Sequence, residues 1–427
     1  MDLLKNIFKG DKVIWVIFVM LCLISITEVF SASSTLTYDK DYWGPITQHS
    51  ILLLFGVGIV VVVHNINYLW FQALPFLLLP LSAFLLIFVM VAGSQVNGAA
   101  RWLSFAGIQF QPSEFAKMAI VIVTAYILSK NQDENGAAPK AFTYITLITV
   151  VFCLLIAPEN YSTAMLLFVT VFLMMFIGRV QLKRLLMLGG CLTTLLVVFM
   201  IFLLVTPNQT LNNIPMGHRF STWKGRIVKF ADKEEIPAAK FDIDQDGQVG
   251  HARIAIATSN VIGKGPGNSV QRDFLSQAFS DFIYAIIIEE LGLVGGIVVV
   301  FLYVCLLVRA GRIAQKCKKT FPAFLVLGIA MLLVIQAMFN MMVAVGLAPV
   351  TGQPLPLISK GGTSTFINCA YIGMILSVSR YTMHLEELNN INRVQPDSLP
   401  GYSEDTTAET DSQEPVSDIM NNDTDLT

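Results

Sequence analysis

The segment SDFIYAIIIEELG, residues 280–292, leads directly into an apolar run that extends to residue 308. An aspartate opens the segment and two adjacent glutamates close it. If the segment is one helix, Asp281 and Glu289 lie on the same stripe, about 12 Å apart at 1.5 Å per residue. Carboxylates at the end of a membrane helix are costly and are by default candidates for function. The alternative is a helix cap at Ser280 or Asp281 followed by solvated charges, and the segment alone leaves both open.

The composition of the whole chain predicts an all-α polytopic membrane protein. Of its 427 residues, 54% are hydrophobic and 14% are charged, whereas soluble domains carry about 25% charged residues. The net charge of −2 lacks the basic footprint of a nucleic-acid-binding protein. The six cysteines follow neither a disulfide nor a metal-binding spacing.

Hydropathy predicts about ten transmembrane helices, with one long extracytoplasmic loop between spans seven and eight. The first apolar run follows three lysines and ends without a small-residue cleavage pattern, so we interpret it as an anchor and not a signal peptide. The predicted spans are 13–33, 48–64, 69–92, 112–130, 141–157, 161–178, 184–206, 282–308, 322–347 and 362–380.

The distribution of basic residues predicts the orientation. The loops around 130–140, 179–184 and 309–319 are rich in Lys and Arg, whereas the short loops on the other side hold only Lys40, Arg101 and Lys360. Because basic loops stay in the cytoplasm, both termini are predicted to be cytoplasmic.

Two regions interrupt the pattern of spans and short loops. Residues 207–281 form a long outside loop rich in charge, Gly and Pro, and such loops are usually functional or disordered. Residues 386–427 are rich in Asp, Glu, Ser and Thr, which predicts a disordered acidic cytoplasmic tail. The transmembrane domain is therefore expected to comprise residues 1–385.

Charged residues occur at the predicted outer ends of several spans. Arg101 and Trp102 follow span three, where a cation and an indole suit the headgroup zone; an ordinary interfacial belt explains them as well. Glu114 and Lys117 are three residues apart and can face each other on one helix, as a structural ion pair or as substrate contacts. Glu159 adds a carboxylate at another outside turn.

Three loop segments have sequences that suggest a specific role. DIDQDG, residues 242–247, resembles the start of a calcium loop, but position twelve is Arg253; a solvated acidic turn is the favoured interpretation and weak calcium binding stays open. GKGPGNS, residues 263–269, offers backbone amides and Lys264 to an anion such as pyrophosphate, or is a flexible turn. The last outside loop, residues 352–364, reads as a re-entrant or helix-capping segment.

Taken together, these stretches resemble the SEDS family of shape, elongation, division and sporulation proteins. The matching stretches are GSQVNGAARWL, QPSEFAK, the outside loop ending GKGPGNSVQRDFLSQAFSDFIYAIIIEELGLVGG, and APVTGQPLPLISKGGTS. Within the family, GKGPGNSVQ and PLISKGGTS look more like an FtsW-type division protein than a RodA-type one. The chain departs from the family pattern at Ser259-Asn260, at Ser276, at Glu159-Asn160-Tyr161 and at Lys360, where a tyrosine is common.

The resemblance implies a peptidoglycan glycosyltransferase that joins lipid II units into glycan strands at the outer face of the bacterial cytoplasmic membrane. It implies partnership with a class B penicillin-binding protein and other membrane proteins of the divisome or elongasome. The family's catalytic aspartate falls on Asp281. The family's Arg-Trp pair falls on Arg101 and Trp102, its Glu and Lys of the fourth span on Glu114 and Lys117, and its EE-x-G element on Glu289 and Glu290. Lys264, Ser359, Gly361 and Gly362 are further candidate substrate-binding residues, and Glu159 is a supporting one.

The chemistry that the resemblance implies needs a base and charge neutralisation. Asp281 is the candidate base for the acceptor hydroxyl. The leaving group is an anion, so Arg101, Lys117 and Lys264, or a divalent cation such as Mg²⁺ or Mn²⁺ with unknown ligands, would stabilise it. The rival interpretations are a transporter that flips lipid II and a non-catalytic scaffold, in which Asp281 would be dispensable.

Overall fold

Long helices make up most of the fold. The structure, a computed structural model, describes residues 9–33, 44–96, 99–105, 108–134, 136–207, 210, 217–231, 243–275 and 280–394. The helices are α1 (Lys12–Ser33), α2 (Gly44–Asn65), α3 (Leu74–Ala92), α4 (Pro112–Lys130), α5 (Pro139–Ile177), α6 (Leu182–Val205), α7 (Gly217–Ala231), α8 (Ile243–Thr258), α9 (Ile283–Lys316), α10 (Thr320–Ala344) and α11 (Gly362–Val394). Short 3₁₀ helices occupy Tyr68–Gln72 and Gln271–Phe274.

The membrane-spanning character of the chain is confirmed. Among the described residues, eight helices are long and apolar enough to cross a membrane: α1 to α6, α9 and α10. α4 and α10 are mostly buried among the other helices, whereas α6 is almost wholly exposed. The protein is therefore a multi-pass membrane protein, while the number of ten spans stays a prediction.

Predicted spans five and six are the two halves of α5, and the chain reverses its direction between them at Asn160. The backbone of Asn160 is not helical (φ −151°, ψ 84°), and Pro158 lies two residues before it. The Cys153 thiol donates a hydrogen bond to the carbonyl oxygen of Ala164 at 3.4 Å. Eleven residues of straight helix extend about 16 Å, so this contact requires the chain to fold back.

The prediction that residues 282–308 form one continuous span is wrong, because the chain also reverses at Gly292. Gly292 has φ +74° and ψ −175°, and the Tyr284 hydroxyl reaches the carbonyl oxygen of Gly296 at 3.1 Å. A Cβ on Gly292 would lie 2.2 Å from the carbonyl oxygen of Val261. Only glycine allows this conformation and this close approach. Glu289 therefore lies on a short arm, 283–291, and Asp281 lies just before it; the short arm folds back on the longer arm, 293–316.

The loops on either side of α4 contain small antiparallel sheets that the all-α prediction lacked. Strands β1 (Ser94–Val96), β2 (Ala99–Phe105) and β3 (Ile108–Phe110) form a meander in the order β1-β2-β3. Ser94 pairs with Trp102, and Leu103 pairs with Phe110. The meander packs on α3, α4 and α5. Strands β4 (Gln132–Asp133) and β5 (Gly136–Ala137) form a second, two-stranded sheet.

The regions predicted as a long outside loop and a disordered tail contain helices. α7 and α8 lie within residues 207–281, and α8 bends at Gly247 (φ +52°). The calcium-like segment thus begins α8, although Asp242 lies outside the described residues. A compact unit ends at His384, next to the predicted boundary at 385, and α11 continues to Val394. Residues 395–427 of the predicted tail lie outside the described residues.

Candidate functional site

Asp281 is held by its neighbours at the start of the short arm of α9. Its backbone carbonyl accepts a hydrogen bond from the Asn340 side-chain amide on α10 at 2.9 Å. The carbonyl of Ser280 accepts one from the Ser359 hydroxyl at 2.7 Å, and the Ser280 hydroxyl donates to the Asp281 carboxylate at 3.1 Å. The side chain is only half-buried. Asp281 is thus a positioned carboxylate that solvent and ligands can reach.

Ser359 is therefore next to Asp281, as a substrate-binding prediction for the last loop would require. The Ser359 hydroxyl also accepts a hydrogen bond from the amide of Leu355 at 2.8 Å, which fixes the loop on itself. Gly361 and Gly362 follow Lys360 and are half-buried, and Gly362 is the first residue of α11. The loop thus brings its predicted residues to the start of α9.

A hydrogen-bonded chain connects the Asp281 region with Glu114 and Lys117. The Lys117 ammonium contacts the Glu114 carboxylate at 2.7 Å and the side-chain oxygen of Gln336 at 2.7 Å. Gln336 in turn donates to the carbonyl of Pro354 at 3.0 Å. One turn further along α10, Asn340 donates to the carbonyl of Gln353 at 2.8 Å as well as to Asp281.

The Glu114–Lys117 pair is enclosed by protein. The exposed fraction is 0% for Lys117 and 1% for Glu114. The geometry therefore matches the structural ion pair of the two alternatives, and it presents no charge to a ligand from outside. A substrate-contacting role for Lys117 stays a prediction that requires this part of the fold to open.

The carboxylates of Glu289 and Glu290 bind the glycine-rich loop, for which the sequence leaves a flexible turn and an external anion as alternatives. The carboxylate of Glu289 accepts hydrogen bonds from the amides of Val270 and Gln271 and from the Ser269 hydroxyl. Lys264 pairs with Glu289 at 2.6 Å. The amides that could cradle pyrophosphate thus bind the protein's own carboxylates.

Glu290 completes this arrangement and ties it to the first helix. Its carboxylate accepts hydrogen bonds from the amides of Gly267 at 3.0 Å and Ser269 at 3.1 Å, and from the hydroxyl of Ser31 on α1. Arg272 donates to the Ser31 carbonyl at 3.2 Å. The two glutamates lie about two turns after Asp281, as the sequence predicted, but on the short arm that ends at Gly292 and not on a helix that continues to residue 308.

The remaining predicted residues lie near α4 and α5. Trp102 is half-buried in β2, and the side chain of Arg101 lies outside the described part of the structure. Glu159 is half-buried at the reversal of α5 and lines a small cavity with Ser113, next to Glu114. In the structure, Ser359 and Asn340 contact the backbone at Asp281, and Lys117 is linked to this region only indirectly, through Gln336. Lys264, Glu289 and Glu290 form a separate cluster with the glycine-rich loop.

Sequence reasoning missed Gln336, Asn340 and Gln353, which make the connecting hydrogen bonds. Gln336 and Asn340 are four residues apart in an apolar span. Two buried amides at this spacing in a membrane helix were a usable signal, because polar groups at membrane depth pair with each other. It also missed Glu28 on α1, which is fully buried and whose two carboxylate oxygens have no hydrogen-bond partner among the described residues.

A half-open, mostly apolar cavity of about 280 Å³ lies beside this network. Its lining includes Tyr161, Trp223, Arg226, Phe339 and Gln353. The Gln353 side chain donates to the Thr163 hydroxyl at 2.7 Å, and its carbonyl shares Asn340 with Asp281. Gln353 and the Asn340 side chain therefore link the cavity to the backbone of Asp281.

The described residues form no site in which protein side chains alone would bind the predicted divalent cation. Among those residues, no group of three or more His, Cys, Asp or Glu side chains comes together as ligands. The carboxylates of Glu289 and Glu290 are already hydrogen-bonded to the loop. The cation stays a prediction.

Comparisons with known proteins agree with this architecture. The model of the cell cycle protein family of FtsW, RodA and SpoVE matches residues 11–384. A probable peptidoglycan glycosyltransferase FtsW of Geobacter sulfurreducens is 31% identical over 381 residues, 88% of this chain and 96% of that protein. The protein of the same name from Bacillus subtilis is 29% identical and covers 75% of this chain and 77% of that protein.

Solved structures share the fold. The rod shape determining protein RodA of Thermus thermophilus gives a TM-score of 0.60 at 20% identity, over 88% of this chain and 98% of that one. A chain from a peptidoglycan synthase complex, in a study of coordinated polymerization and crosslinking, gives a TM-score of 0.68 at 22% identity, over 88% of this chain and 99% of that one. The chain belongs to the SEDS family of FtsW, RodA and SpoVE.

Proposed function

We propose that this protein is a peptidoglycan glycosyltransferase of the FtsW type that polymerises lipid II. The observation that carries the proposal is Asp281, a half-exposed carboxylate whose backbone is fixed by Asn340 while Ser359 fixes its neighbour. A base fixed by its backbone keeps its carboxylate where an incoming hydroxyl can reach it. Relatives that are about 31% identical to this chain are named as probable peptidoglycan glycosyltransferases.

The reaction assigns Asp281 the role of general base. The acceptor sugar hydroxyl gives its proton to the Asp281 carboxylate while its oxygen attacks the anomeric carbon of the lipid-linked donor. The bond from that carbon to the diphosphate oxygen breaks, and the electron pair leaves with the diphosphate. In inverting glycosyl transfer the base and the leaving group lie on opposite faces of the sugar ring.

The buried network supports this base without touching the substrate. The Lys117 ammonium donates a hydrogen bond to the side-chain oxygen of Gln336 on α10. Asn340, on the same face of α10, donates to the backbone carbonyls of Asp281 and Gln353. A shift of α10 would therefore move the backbone of Asp281. Because a small misplacement of a reacting group lowers the rate strongly, Glu114 and Lys117 act in this proposal as positioning residues.

The apolar cavity beside Gln353 fits part of the polyprenyl chain of a lipid-linked substrate. Its walls are largely apolar, and Trp223 and Arg226 among its lining residues suit a membrane interface. The chain would enter from the lipid phase while the sugar stays near Asp281.

The cellular setting follows from this activity. The protein works in the bacterial cytoplasmic membrane with both termini in the cytoplasm, which places Asp281 at the outer face. The similar fold within a peptidoglycan synthase complex supports a class B penicillin-binding protein as partner in division. A divalent cation bound with the diphosphate remains part of the proposal.

Reconstitution tests the activity. The purified protein, with and without its transpeptidase partner, is incubated with lipid II in proteoliposomes and glycan strands are separated by size. Strands are expected from the parent protein. If no strands form while lipid II trapped inside the liposomes becomes accessible outside, the protein is a transporter and the proposal fails.

A further inference from the structure

The last outside loop contains a residue in a strained backbone conformation. Leu357 is buried and has φ +66°, in the left-handed region where the Cβ of an L-residue crowds a carbonyl oxygen. Strain of this kind persists where surrounding contacts over-determine the conformation, and it is concentrated at functional sites. The contacts around Leu357 therefore indicate which part of the loop the fold keeps in place.

Buried side chains bind the carbonyl groups on both sides of Leu357. The Tyr303 hydroxyl, on the longer arm of α9, donates a hydrogen bond to the carbonyl oxygen of Pro356. The Ser25 hydroxyl, on α1, donates to the carbonyl oxygen of Ile358 at 2.6 Å. Both side chains are 0% exposed. Non-helical backbone at membrane depth needs such internal partners, and here they come from two different helices.

Ser25 is itself fixed by a histidine of the second helix. The Nε2 atom of His49, on α2, lies 2.9 Å from the Ser25 hydroxyl oxygen. Because the single hydroxyl hydrogen of Ser25 goes to the Ile358 carbonyl, the hydroxyl oxygen is the acceptor and Nε2 carries the hydrogen. The other ring nitrogen of His49, Nδ1, has no hydrogen-bond partner among the described residues. In that part of the chain, the polar contact of this buried ring is therefore the one with Ser25.

The carbonyl that Ser25 binds lies one residue before the contact with the candidate base. The Ser359 hydroxyl donates to the carbonyl of Ser280 at 2.7 Å and accepts from the amide of Leu355 at 2.8 Å. Asp281 follows Ser280 directly. A shift of Ile358 would therefore move Ser359, and with it the backbone that carries Asp281.

We propose that His49 and Ser25 are positioning residues for Asp281, and this inference rests on the proposed function. Both side chains are enclosed by protein, so they act through the last outside loop and not on the substrate. They hold the loop from α1 and α2, whereas Lys117 is linked to the Asp281 region through α10. Because a small misplacement of a reacting group lowers the rate strongly, losing either side chain slows the chemical step and leaves the binding of lipid II unchanged.

Steady-state kinetics with matched controls test the proposal. Lipid II polymerisation is measured for the full-length protein and its transpeptidase partner in proteoliposomes, with the variants Ser25→Ala and His49→Met. The controls are Ser82→Ala and His64→Met, since both residues are also buried in membrane helices but contact carbonyl oxygens of their own helix. We expect kcat to fall about tenfold in the two test variants with KM unchanged, and both controls to keep the parent values.

Two further variants distinguish positioning from packing. His49→Gln keeps a side-chain donor for Ser25, so it should retain most of the parent rate that His49→Met loses. The double variant Ser25→Ala/His49→Met should be no slower than Ser25→Ala alone, because both substitutions break the same connection. If His49→Gln is as slow as His49→Met, or if the two losses multiply in the double variant, the proposal is overturned.

Hydrogen–deuterium exchange follows the loop without relying on activity. The amides of Leu355, Ile358 and Ser359 are hydrogen-bonded within the loop. Peptides covering residues 355–359 should exchange about tenfold faster in Ser25→Ala and His49→Met, the effect of losing one buried hydrogen bond, and at the parent rate in the controls. Parent-like exchange in both test variants overturns the proposal. A raised KM with unchanged kcat also overturns it, because the loop would then bind substrate and not position the base.

Failure of the proposed function gives a different result. If the parent protein forms no glycan strands while loop exchange rises in both test variants, the contact of His49 and Ser25 with the loop stands and the glycosyltransferase assignment falls. If Ser25→Ala is poorly folded, His49→Met gives an independent reading. Tyr303→Phe gives another, since it removes the hydroxyl that binds the carbonyl on the other side of Leu357 and should likewise speed exchange of the loop.

Discussion

The buried pair of Glu114 and Lys117 yields a prediction whose size follows from its contacts. Lys117→Met removes the ammonium that contacts both Glu114 and Gln336 at 2.7 Å. It leaves the Glu114 carboxylate buried with no cation, and one of its oxygens already has no hydrogen-bond partner among the described residues. Removing one partner of a buried pair costs about 3–5 kcal/mol. We expect the free energy of unfolding to fall by about that amount.

The double variant Glu114→Gln/Lys117→Met separates charge from packing. It removes both charges, so most of the loss should be recovered, to within about 1 kcal/mol of the parent. Lys130→Met, at the exposed end of the same helix, should change stability by less than about 0.5 kcal/mol. The measurement is denaturant or thermal unfolding of the detergent-solubilised protein.

Two results would refute this reasoning. If Lys117→Met is as stable as the parent but polymerises poorly, Lys117 faces the substrate and the enclosed pair is not its working arrangement. If the double variant is as unstable as the single one, the loss comes from packing and not from the unpaired carboxylate.

Three further substitutions test separate parts of the structure. Gly292→Ala places a Cβ 2.2 Å from the carbonyl of Val261 at φ +74°, so thermal unfolding should show a loss of at least about 2 kcal/mol; a parent-like melting curve contradicts the reversal. Glu28→Met removes a buried carboxyl group without partners among the described residues, and should raise the free energy of unfolding by about 1 kcal/mol in denaturant; a decrease means that the carboxyl group is hydrogen-bonded in the folded protein. Asn340→Leu removes two hydrogen bonds from the backbone around Asp281 and should lower kcat about tenfold with KM unchanged; a higher KM alone would give Asn340 a binding role.

Local signals sufficed where local physics decides the structure. Span 112–130 was predicted at the bounds of α4, because Pro112 favours a helix start and the apolar sequence stops at Lys130. The pairing of Glu114 with Lys117 follows from their spacing of three on that helix. The turn around Pro158 was likewise predicted from the residues of the turn itself.

The reversal at Gly292 could not be predicted from its own segment. Residues 280–308 read as one apolar helix, and the break depends on loop residues about thirty positions earlier. The amides of Lys264 and Gly265 bond to the carbonyls of Glu289 and Glu290, which ends the short arm. Only the folded loop supplies these donors.

The contacts of the GKGPGNS loop could not be predicted either, because the sequence left a flexible turn and an external anion as alternatives. The sequence correctly indicated amides that favour negative charge, yet Glu289 and Glu290 were counted as part of a different element. A pattern can show what a loop would bind, but it cannot show which anion in the chain reaches the loop first. Asp281 remains the site residue that both the resemblance and the geometry favour.

The central claim is that Asp281 is the base for glycan polymerisation, and one rate measurement tests it most directly. The rate of lipid II polymerisation is measured for the parent, for Asp281→Asn and for Asp133→Asn, an exposed carboxylate in β4. An amide cannot accept the hydroxyl proton, so Asp281→Asn should be slower by about 10²–10⁴-fold, while it binds lipid II and the Asp133 variant keeps the parent rate. Parent-like polymerisation by Asp281→Asn would contradict the account.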